Sequence, residues 1–378
     1  MIDSHVHCRD WNESLKETIG RALDVAKDSG LSAIFDMPNT NPVLSSRELA
    51  VKRLESARKI NSPLFYGIFI ALTHNVEQVE DAVKTYNEFF PQDFKSKQGV
   101  IGLKEFTTNN IECLNISKIE QQKDIFRWLV KFGFDGVLAK HCEKASLINH
   151  KKYNPDFTLT HSYARPKLCE TESIRDQIRL ALETGYALKG GKGKLHILHV
   201  STPTSVNIIK EAKKYLNISC ETTPHYLLLN EEIFGNSDQD GEENVKNVYF
   251  KVNPPLRDKD TQEELFEKFK EGLIDTLATD HAPHTTRDKF YHHMSGIASL
   301  ASWQDFLMIF KKLRISNHLL ENVTHDNVNK IFGTNIPKLN LEIASRGHIA
   351  RHGYSYGIDP FARVKVNLGL NNKINYKS

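Results

Sequence analysis

The chain has 378 residues, 39% of them apolar, with 50 Lys and Arg against 47 Asp and Glu for a formal net charge of +3. That length holds one large α/β domain or two ordinary ones. A mean hydropathy of −0.45, with no run near the roughly 18 apolar residues of a membrane helix, argues against a membrane protein. The scattered, weak positive charge argues against nucleic acid.

Met1-Ile2-Asp3-Ser4 shows no basic region leading into an apolar stretch, so no secretory signal is expected and the reading is cytoplasmic. Cys8, Cys113, Cys142, Cys169 and Cys220 are odd in number and lie far apart, which fits reduced thiols better than a disulfide framework. Cys142 adjoins a histidine but reads as a small buried apolar side chain.

Taken in order, the chain alternates strands with helices. Residues 2–7 form the first strand. Ser14 and Glu17 have capping-box spacing. Leu15, Ile19, Leu23 and Ala26 keep helical period until Gly30 stops it. Residues 31–37 are a second strand, Ser45 with Glu48 opens a second helix, and residues 64–72 are a third strand. Val76, Val79 and Val83 mark a helix face before a strand at 99–106, and Ile125, Leu129 and Phe132 another before a strand at 136–141. Helices through Ile174, Ile178 and Ala181 and through Ile208 and Ala212 precede strands at 194–200 and 218–222. A helix at 262–270 leads to the last strand, 274–280.

That rhythm predicts an α/β fold, a (β/α)8 TIM-type barrel, with an open doubly wound sheet as the other arrangement. Residues 236–247 are acidic, polar and Gly-containing, and read as a surface loop. After Phe332 the rhythm is lost, with a strand expected only at 363–368. The chain therefore divides into a barrel, 1–333, and a C-terminal tail, 334–378, packing on it.

A barrel places its chemistry at the C-terminal ends of its strands. His5 and His7 alternate onto one face of the first strand, so both imidazoles can reach one ion. Arg9 shares that parity and carries a planar fork suited to a carboxylate. Lys104, His141, His199 and Asp280 fall at or near later strand ends. A hydrolytic metal centre needs several N and O ligands and an open position for water; the four histidines and Asp280 supply them. His196, three residues before His199, is expected on the opposite face. Lys104 cannot ligate as an ammonium. Buried and neutral, it can react with CO2 to give a carbamate that bridges two metals; a salt-bridged lysine is the other reading. Asp280 can bind metal and shuttle a proton to a leaving nitrogen, the alternative being a helix N-cap. Asn39, after the second strand, could join Arg9 and His284 around a carboxylate, or be a turn residue before Pro42. Asn253 is stiffened by Pro254-Pro255 over the site, and Arg257 reads either as serving there or as pairing structurally.

Together His5-Val-His-Cys-Arg9, Met37-Pro-Asn-Thr40, Gly102-Leu-Lys104, the His141 and His199 strands, Asn253-Pro-Pro-Leu-Arg257 and Asp280-His-Ala-Pro-His284 resemble the dihydroorotases of the amidohydrolase superfamily. The pieces span about three quarters of the chain in the family's order. The resemblance implies reversible closure of N-carbamoyl-L-aspartate to dihydroorotate in pyrimidine synthesis. It implies one or two zinc ions on His5, His7, Lys104, His141, His199 and Asp280, with carboxylated Lys104 bridging a binuclear site. Arg9, Asn39 and His284 would bind the substrate carboxylate, and Asn253 would face substrate. The partners implied are that small molecule, a second copy of the chain as a homodimer, and an aspartate transcarbamoylase. Relatives carry a leading segment that joins a small β-sandwich, so this accessory domain is expected to be reduced or absent. Around Met294-Ser-Gly-Ile-Ala the family's loop is poorly matched. The rival readings are a cyclic amidase acting on hydantoins or allantoin, and a catalytically silent scaffold.

Overall fold

In the computed structural model, which describes residues 1–92, 96–108, 112–235, 247–342 and 360–370, eight strands follow one another round a single sheet in chain order. They are β1 (Ile2–Val6), β2 (Ala33–Asp36), β3 (Phe65–Ala71), β4 (Gln98–Phe106), β5 (Val137–His141), β6 (Lys194–Ile197), β7 (Ile218–Thr222) and β8 (Thr276–Leu277). Neighbours from β1 to β8 pair in parallel. The ring closes where Val6 bridges His281 and the His7 N–H donates to the His281 carbonyl at 2.8 Å. Asp3 reinforces this seam, accepting from the Thr279 N–H at 3.0 Å and from the Trp303 indole at 2.8 Å. The expected barrel is the one found.

The strand pleat sorts side chains to two cores. Ile2, Ala33, Phe35, Phe65, Phe69, Ile101, Val137 and Ala139 meet inside the barrel. Phe332 plugs the floor, edge-on to Phe35 at 5.2 Å and to Phe69 at 5.9 Å. Ile34, Ile68, Val100, Leu138 and Ile197 belong to the second core, shared with the surrounding helices. Gly67 is dictated by this packing, because a Cβ there would lie 2.7 Å from the Phe35 ring.

The strands are followed by α1 (Ile19–Asp28), α2 (Arg47–Ile60), α3 (Val76–Phe89), α4 (Ile119–Lys131), α5 (Thr160–Ala164), α6 (Lys167–Thr184), α7 (Pro203–Ala212), α8 (Lys259–Lys270) and α9 (Trp303–Lys312). Two expected helix starts are corrected. Thr18, not Ser14, caps α1 by accepting from the Arg21 N–H, and Leu15 is 89% exposed. Glu17 is drawn inward instead, 3.3 Å from His281 Nε2, so it cannot close a capping box with Ser14. Ser46 rather than Ser45 caps α2 through the Leu49 N–H. Such a cap contributes about 1 kcal/mol.

The tail also departs from expectation, since the strand expected at 363–368 is a helix, Ala362–Asn367. Phe361 and Lys365, four residues apart, share a helix face. Phe361 lies edge-on to Phe306 at 4.6 Å and Lys365 pairs with Asp305 at 2.8 Å, both partners on α9. Within 334–342, the Leu339 N–H donates to Ser32 Oγ at 3.0 Å. The loop expected at 236–247 lies outside the described residues apart from Asn247, as does most of the tail. Among the described residues no helix is long and apolar enough to cross a membrane.

Candidate active site

At the C-terminal end of the barrel a cavity of about 220 Å3 is lined by His5, His7, Arg9, Asn39, Lys104, His141, His199, Asn253, Asp280 and His284, with Arg165, Lys16 and Ser295 beside them. All ten residues singled out from the sequence thus share one pocket.

Two groups of ligand atoms face each other across its floor. His5, His7 and Asp280 present donor atoms within 4.8 Å of one another, and both imidazole Nε2 atoms lie 3.1 Å from Asp280 Oδ1. His141 Nδ1 stands 3.0 Å from His199 Nε2, and the His199 ring is 5.5 Å from that of His5. The far nitrogens are tied down. His5 Nδ1 donates to Glu221 Oε1 at 2.7 Å, His7 Nδ1 to Asn39 Oδ1 at 2.8 Å, and His141 Nε2 to Glu143 Oε2 at 2.9 Å. A proton held on one nitrogen leaves the other nitrogen's lone pair for a cation.

The electrostatics suit such a set. Burial pushes His7 down to about 4 and also lowers His141 and His199, so the imidazoles are neutral ligands at neutral pH. Burial raises the Asp280 carboxyl, but His5 and His7 outweigh it and hold the group well below the usual carboxylate range. Glu221 behaves likewise, burial being overcome by His5 and His196. Lys104 is 1% exposed, and burial brings its amine down to about 7 against the pull of Asp280 and Glu221. Its Nζ lies over the Phe106 ring at 4.6 Å, and no hydrogen bond to it is found among the described residues. Four imidazoles, an ionised carboxylate and a lysine that deprotonates near neutrality fit divalent metal ions.

The outer half of the pocket is basic. Arg9, Asp10 and Trp11 take left-handed backbone angles, φ 47°, 62° and 50°. Arg9 therefore enters the pocket through this bend and not through continued strand alternation. Its Nη2 lies 3.3 Å from His284 Nε2, and its Nε donates to the Pro283 carbonyl. His284 Nε2 is also 3.0 Å from the Ser295 carbonyl. The carbonyl needs an N–H on Nε2 and the Arg9 donor needs its lone pair, so this nitrogen is taken up by the protein in either tautomer, and Arg9, which carries only donors, is the better seat for a carboxylate. Asn39 likewise gives its amide oxygen to His7. Arg257 is structural, donating to Ser201 Oγ at 2.9 Å and to the Arg165 carbonyl at 2.7 Å.

His196 corrects the alternation argument. It lies inside the barrel beneath His199, 3.7 Å from Glu221 Oε2, bonded to Ser219 Oγ and edge-on to Phe332 at 5.5 Å. β6 ends at Ile197 and His199 has φ 40°, so period-2 parity does not extend from one histidine to the other. Sequence reading also missed Glu221, Glu143 and Arg165. The first was findable as a lone acid in a buried strand. Glu143 shares His141's parity two residues on, but Arg165, whose Nη1 lies 2.6 Å from Glu143 Oε2, carried no such signal.

The closed eight-stranded barrel carries a His-His, His, His, Asp cluster on its C-terminal rim, as the resemblance to the amidohydrolases implies. No family model matches the chain. A dihydroorotase of Lactobacillus helveticus is 30% identical over 294 residues, 76% of this chain and 61% of that protein. A dihydroorotase of Methanosphaera stadtmanae is 29% identical over 368 residues, 95% of this chain and 74% of that protein. Among solved structures, the L-hydantoinase of Arthrobacter aurescens superposes with a TM-score of 0.75 at 21% identity, covering 91% of this chain and 73% of its own. The D-hydantoinase of a Thermus species gives 0.70 at 20% identity, covering 88% and 70%. The chain is similar in sequence to dihydroorotases, and it shares the barrel fold of the hydantoinases. It spans about 61% of the length of the first of them.

Proposed function

We propose that the chain is a zinc-dependent dihydroorotase, opening and closing the ring between (S)-dihydroorotate and N-carbamoyl-L-aspartate. The observation that carries this reading is the position of Arg9 beside the ligand cluster, in the same pocket as Lys16 and Arg165. A carboxylate on a cyclic amide would be gripped by Arg9 while the amide carbonyl lies over His5, His7 and Asp280. Hydantoin carries no such carboxylate.

Zinc held by His5, His7, His141, His199, Asp280 and the CO2 adduct of Lys104 would polarise the carbonyl and lower the pKa of the attacking water to about 7. The chain's own groups do the rest. Arg9 fixes the substrate so that one carbonyl face meets the water, which removes most of the entropic cost of alignment. Asp280 takes the water's proton. As the ring C–N bond breaks, it delivers that proton to the leaving nitrogen, and the new carboxylate stays on carbon. Closure runs the same steps backwards through the same groups.

Ring opening of hydantoins is the second reading, favoured by the names of the structural neighbours. Steady-state rates on dihydroorotate and on hydantoin discriminate them. A kcat/KM at least tenfold higher for dihydroorotate supports the proposal, and hydantoin turnover without dihydroorotate turnover refutes it.

A further inference from the structure

Asn253 lines the pocket, and two neighbours determine which end of its amide faces the substrate. His161, on α5, holds its Nε2 3.0 Å from the Val252 carbonyl and 2.8 Å from Asn253 Oδ1. A carbonyl only accepts, so His161 Nε2 must carry the proton, and the Asn253 atom beside it must be the oxygen. Ser295 fits the same orientation. Its Oγ receives a hydrogen bond from Lys251 Nζ at 3.0 Å, and it donates its own hydrogen to Asn253 Oδ1 at 3.3 Å. Lys251 is itself fixed, donating to the His293 carbonyl at 2.7 Å and lying over the Tyr153 ring.

Both chains of bonds end on the same oxygen. The Asn253 Nδ2 group has no partner among the described residues, while its residue is only half-buried on the cavity wall. We infer that His161, seconded by Ser295 and Lys251, is a positioning residue that locks the Asn253 amide with its N–H2 turned to the substrate, so that this wall selects a carbonyl or carboxylate oxygen and rejects a donor. The substrate feature selected is a hydrogen-bond acceptor, as the ring carbonyls of dihydroorotate provide. The inference rests on the proposed ring-opening activity only for its kinetic readout. His161 acts at one remove, and its contribution shows as substrate affinity. A site built to hydrogen-bond a group discriminates strongly because the unmatched polar atom is left buried.

Asn253→Asp tests the orientation without relying on turnover. It keeps an oxygen facing His161 and Ser295 and replaces only the N–H2. The variant should melt within about 1 °C of the parent protein, a shift of under about 1 kcal/mol for a chain of this size. Its KM for dihydroorotate should rise about a hundredfold, since a donor is replaced by a negative acceptor. His161→Leu should raise KM about tenfold and change kcat by less, with zinc content unchanged, and His161→Gln, which can still donate to the amide oxygen, should recover most of the loss. Should His161→Leu fail to fold, Ser295→Ala removes the second donor and should raise KM severalfold. A markedly destabilised Asn253→Asp protein would show that the amide faces the other way. An unchanged KM in folded His161→Leu or Ser295→Ala protein would remove the positioning role. If the parent protein opens no dihydroorotate, the activity reading fails, and the melting comparison still decides the orientation.

Discussion

Glu221 Oε1 sits 2.7 Å from His5 Nδ1, and its other oxygen accepts from Ser4 Oγ at 2.9 Å. This buried carboxylate on β7 pins the imidazole of β1 from beneath, with Nε2 directed at Asp280. An orienting partner of this kind is worth about 10- to 100-fold in metal affinity. Glu221→Gln should therefore weaken zinc binding by that factor. A competition titration against a chelator measures it; affinity equal to the parent protein's would remove Glu221 from the centre.

Lys104 links the site to pH. Unfolded, its amine keeps its proton up to the ordinary 10.5, whereas in the fold it releases it near 7. Between those values the unfolded chain binds more protons, so this lysine makes stability rise with pH from about 7 to about 10.5 and removes stability as pH falls through that window. In metal-free protein, Lys104→Met should flatten the rise and be the more stable of the two at pH 7. Denaturant midpoints across the window give the answer. Parallel pH curves for the two proteins would show that Lys104 ionises normally.

Asp280 touches both His5 and His7, yet its proposed work is proton transfer. Asp280→Asn keeps the shape and removes the base. Turnover of dihydroorotate should fall by about 10³, with most of the zinc retained. Near-normal turnover would give the shuttle to another group, and complete loss of zinc would make Asp280 chiefly a ligand.

Arg9 should separate binding from metal chemistry. Arg9→Ala should raise KM for dihydroorotate by about 100-fold, the scale of a lost charged hydrogen-bond pair, and leave zinc content intact. Because the guanidinium is a two-pronged donor, Arg9→Lys should restore little. Zinc lost in proportion to activity would identify Arg9 as a structural residue.

The barrel was legible because short strand runs, several of them apolar as at β2 and β3, alternate with helix starts, and those runs stay buried whichever helix cap operates. The convergence of His5, His141, His199 and Asp280 followed once strand ends were taken as one rim. Local alternation was a poorer guide. It failed at His196 and His199, where the strand ends between them, and at Arg9, where three left-handed residues redirect the chain. The cap at Thr18 was missed because spacing alone cannot tell that Glu17 is claimed by His281 from 264 residues away, and the cap at Ser46 because spacing does not show the Ser45 hydroxyl turned back to the Val43 carbonyl. Separations of 216 and 92 residues likewise hid Glu221 behind His5 and His161 behind Asn253.

Zinc content and turnover measured on the same samples test the central claim most directly. Chelator-stripped protein should open no dihydroorotate, and activity should climb in step with bound zinc to a plateau at one or two ions per chain. Full turnover in the stripped protein, or a zinc-saturated protein that leaves dihydroorotate intact, would contradict the account.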